Sequence, residues 1–289
     1  MIPGEFEYHA PATVDDAIQL LTQHPDDAKI IAGGHSLLPM MKLRFAEPAH
    51  LINIFEIPEL KGITEEGGKL RIGAMTTESE LIRSALINEK CPLIAEAAKM
   101  IADPQVRNRG TIGGDIAHGD PGNDHPAVML ALEADIIVKG PQGERAIAAK
   151  DFFLGTYLTA LESNEIITAL RVPVSRPGSG YGFNKLKRKT GDFATAGATV
   201  ALHLNGKTCD KIRIALTNVG PTAFRAEAAE ALLQGREIDD ALIEQAAKKV
   251  MESCEPAEDL RGDAEYKCHM AAEMARRSIR DALAQAKGN

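Results

Sequence analysis

Two double-glycine segments in separate parts of the chain, both of which we predict to be loops, constrain its fold more than any other sequence feature. The first, residues 32–36, reads Ala-Gly-Gly-His-Ser, and the second, residues 111–115, reads Thr-Ile-Gly-Gly-Asp. Glycine allows positive φ and lets a ligand approach the backbone without a Cβ in the way. Successive backbone N–H groups then form a concave site for an anion. Because the chain has two such segments, we predict one ligand with two phosphates, or a nucleotide held from two sides.

Neither glycine segment is a known dinucleotide or nucleotide fingerprint. The chain has no G-x-G-x-x-G and no Walker A pattern, so we do not expect a nicotinamide cofactor on a doubly wound sheet. A single Gly-Gly pair is more often a tight turn. The hydroxyl-bearing residues Ser36 and Thr111 can add hydrogen-bond donors, which favours the phosphate interpretation for the two segments together.

Composition and charge argue against several other classes. The net charge of −8 and an aromatic content of 4%, with no tryptophan, disfavour a nucleic-acid partner. The four cysteines form no C-x-x-C pair and match no iron–sulfur or zinc spacing, which is typical of scattered reduced thiols. No apolar run is long enough for a transmembrane helix, and the N-terminus lacks a signal-peptide pattern. We therefore expect a cytoplasmic protein without a membrane span.

Apolar spacing, caps and turn residues predict alternating helices and short strands up to residue 174. Helices are predicted to begin near Thr13, Leu37, Thr77, Pro92 and Pro126, and strands to cover 29–31, 51–54, 70–72, 135–139 and 165–174. Thr13 is a predicted N-cap, and Thr77 with Glu80 forms a capping box. Residues 175–180, Ser-Arg-Pro-Gly-Ser-Gly, indicate a linker. The predicted elements after the linker are strands 181–186, 194–204 and 211–219 and helices 223–233, 240–251 and 263–286, an α+β order.

Several polar residues have two interpretations each. Asp120 and Asp124 could accept hydrogen bonds from ribose or ribityl hydroxyls. However, the residues of segment 120–124 are also typical of a turn, and Asp124 could cap the next helix. The basic run 185–189, Lys-Leu-Lys-Arg-Lys, is by default a solvated face. On a strand, however, its three lysines share one side, and one could reach a ligand or an acidic partner. His35 and His118 have no second ligand at metal spacing, so we predict no metal site, and no residue set predicts a catalytic group.

Taken together, these residues resemble the FAD-binding medium subunits of the molybdenum hydroxylases, the family that includes xanthine dehydrogenase. The likeness covers essentially the whole chain, from Met-Ile-Pro-Gly at residues 1–4 to Leu-Thr-Asn-Val at residues 216–219. The two glycine segments are highly specific for this family. Residues 119–124, Gly-Asp-Pro-Gly-Asn-Asp, and the lysine run 185–189 point toward its carbon monoxide branch.

The resemblance implies an α+β fold. A two-subdomain FAD-binding fold of the PCMH type would cover residues 1–55 and 56–176. A C-terminal α+β domain, residues 177–289, would follow with a three-stranded sheet and a helical bundle.

The resemblance also implies noncovalently bound FAD and a set of contact residues. Both glycine segments would hold the pyrophosphate, and the other contacts would reach the ribityl or ribose portion and the flavin ring. The implied residues are Ala32, Gly33, Gly34, His35, Ser36, Thr111, Ile112, Gly113, Gly114, Asp115, Asp124, Ile167, Lys185, Asp192 and Phe193. Three positions depart from the family pattern: Asp115 stands where Asn is frequent, Phe193 where a close relative carries Tyr, and His118 where a smaller residue is usual.

The resemblance further implies a relay role within a larger complex. Electrons would come from 2Fe–2S clusters on a small partner subunit, and the molybdenum cofactor would lie on a large one. The electrons would leave the FAD to an external acceptor such as a quinone. The complex would be a dimer of heterotrimers, that is, a heterohexamer, and would be cytoplasmic or peripheral at the inner face of the cytoplasmic membrane. Two alternatives stay open: a stand-alone flavin oxidoreductase of the same fold, and a non-redox nucleotide-binding assembly module.

Overall fold

The first part of the chain forms a small parallel sheet. The structure is a computed structural model that describes residues 2–288. The strands β1 (Glu7–His9), β2 (Ala28–Ile31) and β3 (His50–Asn53) pair in the order β1-β3-β2. Helix α1 (Val14–Gln23) connects β1 to β2, as a parallel sheet requires a crossover. The Thr13 side chain caps α1 by accepting from the Asp16 N–H, which confirms the predicted start.

The middle of the chain forms a five-stranded antiparallel sheet with the order β4-β5-β10-β6-β7. Its strands are β4 (Ile63–Glu66), β5 (Lys69–Gly73), β6 (Asp135–Gly140), β7 (Gly143–Ala148) and β10 (Ile166–Pro173). A separate hairpin of β8 (Phe153–Gly155) and β9 (Leu158–Thr159) lies between β7 and β10 in the chain. The middle sheet packs on a large apolar core that also receives Tyr181 and Phe183 from the next sheet, so this sheet and the C-terminal one share a boundary.

Helix α2 (Leu37–Lys42) lies between β2 and β3, and the later helices of the first two parts lie between β5 and β6. These later helices are α3 (Glu78–Arg83), α4 (Ala85–Lys90), α5 (Pro92–Met100), α6 (Pro104–Arg107), α7 (Ile112–His118) and α8 (His125–Leu132). The capping box predicted at the start of α3 is present: Thr77 accepts from the N–H of Glu80, and the Glu80 carboxylate accepts from the N–H of Thr77. Helix α8 is buried along its whole length, which anchors the segment just before it.

The last part of the chain is an antiparallel sheet covered by helices. Three long strands, β11 (Ser179–Leu186), β12 (Ala196–Asn205) and β13 (Thr208–Thr217), match the predicted three-stranded sheet, and a two-residue strand β14 (Phe224–Arg225) extends its edge. The helices are α9 (Glu227–Leu233), α10 (Asp240–Glu252) and α11 (Ala264–Gly288). The mixture of sheets and helices confirms the α+β class.

The predicted linker at 175–180 is wrong at its end, because Ser179 and Gly180 belong to β11. A Cβ on Gly180 or Gly182 would overlap the carbonyl oxygens of Ala282 and Ser278, respectively. These glycines therefore let the α11 backbone cross directly over β11, and they are packing residues rather than linker residues.

The three sheets lie within residues 7–53, 63–173 and 179–225, and each has its own apolar cluster. The domain boundaries that we predict, after residues 55 and 176, stay predictions. None of the helices in residues 2–288 is long and apolar enough to cross a membrane.

Candidate functional site

A cavity of about 630 Å³ is lined by residues from all three parts of the chain. This volume is within the range of small-molecule and cofactor sites, about 300–1,000 Å³. Every residue that we predict to contact a cofactor lines the cavity, with one exception. The exception is Ile112, whose side chain is fully buried in the apolar core of the middle sheet.

The first glycine segment follows β2 and forms an open turn at the cavity. Gly34 has φ 79°, the left-handed conformation that glycine adopts readily. Within residues 2–288 the structure gives no acceptor for the N–H groups of residues 33–36. The hydroxyl of Ser36 makes no cap hydrogen bond with α2. The segment therefore offers four successive N–H groups and one hydroxyl, as predicted for an anion site.

The second glycine segment is not a loop, and that prediction is wrong. Gly113 and Gly114 lie in the first turn of α7, which Thr111 caps by accepting from the Gly114 N–H. The N–H of Ile112 donates to the Thr76 carbonyl. Because a threonine cap and an apolar residue one step later start a helix here, the glycines continue it instead of turning the chain.

The glycines of the two segments are required by close packing of backbone. A Cβ on Gly33 would lie 2.9 Å from the Gly110 Cα, and closer still to a neighbouring carbonyl oxygen. A Cβ on Gly113 would lie 2.6 Å from the Ala74 Cβ, and the Gly113 N–H already donates to the Ala74 carbonyl at 2.9 Å. Gly33 thus holds the first turn against residues 109–110, and Gly113 holds α7 against the end of β5.

A buried ion pair at the cavity joins β11 to the segment just before α8. Lys185 Nζ donates to Asp124 Oδ2 at 2.6 Å, and the two side chains are 2% and 4% exposed. Asp124 makes no side-chain cap bond to α8, so the capping alternative is not observed. Its Oδ1 is buried and has no hydrogen-bond partner among the described residues. This oxygen is available to a ligand in the cavity.

The lysine run 185–189 is only partly a solvated face. Lys185 lies in β11, but the strand ends at Leu186, so the three lysines do not lie on one strand face. Lys187 Nζ donates to the Met100 carbonyl at 3.0 Å. Burial lowers the pKa of Lys187, and the charge of Lys185 adds to this effect. Lys189 lies beyond the strand and is exposed.

The ionisable groups beneath the cavity are strongly perturbed. His125 is fully buried; its Nε2 lies 2.8 Å from Glu78 Oε2, and its backbone N–H donates to Asp115 Oδ2 at 3.3 Å. Burial would lower the pKa of His125, but the surrounding carboxylates, above all that of Glu78, outweigh burial and raise it to about 9. Burial raises the pKa of Asp115 to about 7; His125 opposes this rise, and Glu78 adds to it.

These shifts predict that the folded protein loses stability as the pH rises. Between pH 3.8 and about 7 the folded protein keeps a proton on Asp115 that the unfolded chain has released. The contribution of Asp115 to the free energy of unfolding therefore falls as the pH rises through this range. The contribution of His125 is complete below pH 6.5 and is lost as the pH rises through about 9. Both slopes have the same sign.

The variant Asp115→Asn should remove the first of these slopes. At about pH 8 it should be more stable than the wild type by about 1–4 kcal/mol, since no charge is then buried at this position. At about pH 5 the two proteins should match, because a protonated Asp and an Asn have the same shape. Urea unfolding at both pH values measures the difference. Asp151→Asn, at an exposed carboxylate, is the control; identical pH profiles for Asp115→Asn and the wild type would contradict the assignment.

The cavity is also lined by the ring of Phe193 and by the adjacent carboxylate of Asp192, which two arginines bind. Asp192 accepts from Arg188 Nε at 2.7 Å and from Arg261 Nη2 at 3.1 Å. The hydrogen bond from Arg188 is the main reason that the pKa of Asp192 lies below its usual value. Phe193 is 44% exposed and lines the cavity beside this group. Ile167 also lines the cavity, and an irregularity in the β10–β6 pairing follows it.

Sequence reasoning missed several residues that line the cavity. They are Ile101 and Ala102 after α5, Val106 in α6, Glu78 at the start of α3, Asn123 shortly before α8, Tyr157 in the β8–β9 hairpin and Leu161 after it. Ala102 has φ 43°, and Arg107 Nη1 donates to its carbonyl and to that of Ile101. The only sequence signal there is the Asp-Pro helix stop that follows, which predicts a turn but not its approach to the cavity.

Two family models match the chain. Residues 4–175 match the one described as the FAD binding domain in molybdopterin dehydrogenase. Residues 181–282 match the one described as the CO dehydrogenase flavoprotein C-terminal domain. Together the models cover the strands of the three sheets except for the first two residues of β11.

Relatives with curated names match along their whole length. The carbon monoxide dehydrogenase medium chain of Hydrogenophaga pseudoflava is 57% identical over 99% of both chains, and that of Afipia carboxidovorans is 48% identical over 99% of this chain and all of the relative. The putative xanthine dehydrogenase FAD-binding subunit of Escherichia coli K12 is 31% identical over 97% of each chain.

Solved structures agree with these relatives. A chain of the Hydrogenophaga pseudoflava carbon monoxide dehydrogenase that lacks the Mo-pyranopterin moiety superposes with a TM-score of 0.97, at 59% identity over 99% of both chains. A chain of quinoline 2-oxidoreductase from Pseudomonas putida 86 superposes with a TM-score of 0.92, at 33% identity over 100% of this chain and 99% of that one.

Proposed function

The chain belongs to the family of FAD-binding medium subunits of the molybdopterin dehydrogenases, and from this premise we propose that it is the flavoprotein of a carbon monoxide dehydrogenase. The observation that carries the proposal is the match over 99% of both chains to carbon monoxide dehydrogenase medium chains, at 57% and 48% identity. Relatives that are named for other substrates are less similar, at 38% identity or below. In this role the chain relays electrons that another subunit extracts from carbon monoxide.

The cavity fits FAD on the chemistry of its donors and acceptors. The N–H groups of residues 33–36 suit an anionic pyrophosphate, since they have no acceptor within residues 2–288. The buried Asp124 Oδ1 needs a donor, which a ribityl or ribose hydroxyl supplies. The exposed ring of Phe193 suits a flat aromatic ligand.

We propose that the chain's own residues bind and orient the cofactor, while FAD, when bound, supplies the redox chemistry. The turn at 33–36 would hold the pyrophosphate, and Lys185 would lie beside the flavin ring while it fixes the Asp124 carboxylate. The first turn of α7 would contribute its positive end and a close approach at Gly114. It would contribute little through free amides, because the N–H groups of Ile112 and Gly113 are already used. Phe193 would cover the ring at the mouth and exclude water.

We propose that the metal centres lie on partner subunits, a large molybdenum-containing chain and a small iron–sulfur chain, in a dimer of heterotrimers. Cys91 and Cys209 are buried, and burial raises the pKa of the Cys91 thiol to about 12 and that of Cys209 to about 11, which disfavours the thiolate form that cluster ligation needs. Cys254 and Cys268 are neighbours without further thiol partners among the described residues. A quinone-like acceptor and a cytoplasmic or peripheral location complete the proposal as predictions.

Anaerobic addition of carbon monoxide tests this function. In the purified complex the visible flavin absorption should bleach, because electrons reach the cofactor through the clusters. The isolated chain loaded with FAD should not bleach with carbon monoxide, since it lacks the site of oxidation. A flavin that stays oxidised in an active complex would contradict the relay role. Bleaching of the isolated chain would favour the stand-alone oxidoreductase instead.

A further inference from the structure

Two histidines and a glutamate meet on the N-terminal parallel sheet, and none of them lines the cavity. His9 Nε2 lies 3.1 Å from His50 Nδ1. Glu7 Oε2 lies 3.4 Å from His50 Nδ1 and 4.0 Å from His9 Nε2. Three atoms that can each ligate a metal ion thus lie within 4.0 Å of one another.

The sheet register holds these side chains on one face. Glu7 is directly opposite His50 in the β1–β3 pair, and His9 follows Glu7 by two residues. Side chains two residues apart on a strand point to the same face, so all three lie on the same side of the ladder. The N–H of Glu7 donates to the Ala49 carbonyl at 2.8 Å, which fixes the register at this point. Sites built on paired strands are more precise than sites on loops.

The separations suit the small coordination sphere of zinc. Bonds of about 2.0–2.1 Å to imidazole nitrogen and carboxylate oxygen place the ligand atoms of a tetrahedron about 3.3–3.5 Å apart. Two of the three observed separations are within about 0.3 Å of that range. The third needs Glu7 to move, and Glu7 is free to do so because its side chain is 74% exposed.

A neighbouring ring orients one of the ligands. His24, just after α1, stacks on His50 with ring centroids 3.6 Å apart. The stack leaves the edge of the His50 ring, with its nitrogens, free to face His9 and Glu7. Groups that orient a ligand in this way commonly affect metal affinity.

We propose that Glu7, His9 and His50 form a binding site for a divalent zinc-class ion, with a fourth position open to water. Imidazole and carboxylate ligands select zinc, copper, nickel or cobalt over magnesium and calcium, which prefer oxygen alone. Binding needs the tautomers in which His9 Nε2 and His50 Nδ1 carry no hydrogen, so the hydrogen of the bond between them moves to the other nitrogen of its own ring. Because the ion links β1 to β3, it stabilises the N-terminal sheet whenever it is bound.

Isothermal titration of the purified full chain with Zn²⁺, with no histidine tag, tests the site. We expect one equivalent of Zn²⁺ to bind, no comparable binding of Mg²⁺, and a rise in the melting temperature when Zn²⁺ is present. His9→Ala, His50→Ala and Glu7→Gln should each weaken binding by more than about tenfold, because even groups outside the coordination sphere change affinity by about 10–100-fold. Glu7→Gln keeps the test valid if a histidine variant folds poorly, since Glu7 is exposed.

His269→Ala is the matched control. His269 is an exposed histidine 3.9 Å from the Glu265 carboxylate, so it has the same chemistry without a third ligand. This variant should bind Zn²⁺ as the wild type does. Failure of the wild type to bind, or equal affinity in the wild type and in Glu7→Gln and His9→Ala, would overturn the proposal. Both outcomes are independent of FAD and of carbon monoxide oxidation.

Discussion

Replacing Lys185 with methionine is expected to lower the free energy of unfolding by about 3–5 kcal/mol, because it leaves the Asp124 carboxylate buried and unpaired. The two side chains are 2% and 4% exposed, so water cannot take the place of the lost ammonium group. The same change should reduce the FAD content of the purified chain, since Asp124 and Lys185 both line the cavity and Lys185 fixes the Asp124 carboxylate. Urea unfolding and flavin content of the full chain measure the two effects.

A double-mutant cycle separates the ion pair from general damage. Asp124→Asn alone should also be destabilising, because it leaves the Lys185 ammonium buried. The double variant should lose less than the sum of the single losses, since no buried charge is left unpaired. Lys189→Met is the matched control: Lys189 is exposed in the same lysine run, and its replacement should change stability by less than about 0.5 kcal/mol. Equal effects at positions 185 and 189 would contradict the buried pair.

Replacing Gly33 with alanine is the second large effect that we expect. The new Cβ would lie 2.9 Å from the Gly110 Cα and would overlap the Arg109 carbonyl oxygen. Both are backbone atoms that cannot rotate away, so the turn at 33–36 has to move off residues 109–110. Overpacking of this kind costs about 1–3 kcal/mol, and we expect FAD affinity to fall by more than about tenfold because the N–H groups move with the turn. Titration of the FAD-free protein with FAD measures the affinity.

Alanine substitutions at two other glycines serve as comparisons for Gly33→Ala. A Cβ on Gly155 would make only an ordinary contact, 3.6 Å from the Leu158 Cβ, so Gly155→Ala should leave FAD affinity unchanged. A Cβ on Gly114 would meet the Thr111 hydroxyl at 2.9 Å, and Gly114→Ala should have an effect between those of the other two. If Gly33→Ala and Gly155→Ala bind FAD equally well, the turn at 33–36 does not hold the cofactor.

The sequence predicts the local elements of this fold well where one residue controls them. Thr13 starts α1, and Thr77 with Glu80 starts α3, because a side-chain oxygen satisfies helix N–H groups within three residues. The same rule explains the main error. Thr111 is such a cap, and its effect on the two following glycines is stronger than the preference of a glycine pair for a turn.

The site was predictable as a set of residues but not as an arrangement. All but one of the residues that the resemblance names are brought to one cavity by the fold. The pairing of Lys185 with Asp124, by contrast, joins β11 to the segment just before α8, and nothing local in the sequence specifies it. The same is true of His9 and His50, which no metal-binding spacing connects and which meet only because β1 and β3 pair. Long-range pairing is set by the packing of whole sheets, which local patterns do not contain.

Identification of the nucleotide released when the purified protein is denatured is the sharpest test that the cavity binds FAD. We expect intact FAD, in a ratio of one per chain, that separates from the denatured polypeptide without proteolysis. We also expect FAD retention to fall in Lys185→Met and Gly33→Ala but not in Lys189→Met or Gly155→Ala. Release of an adenine nucleotide without flavin, or a flavin that stays attached to the denatured chain, would contradict noncovalent binding of FAD.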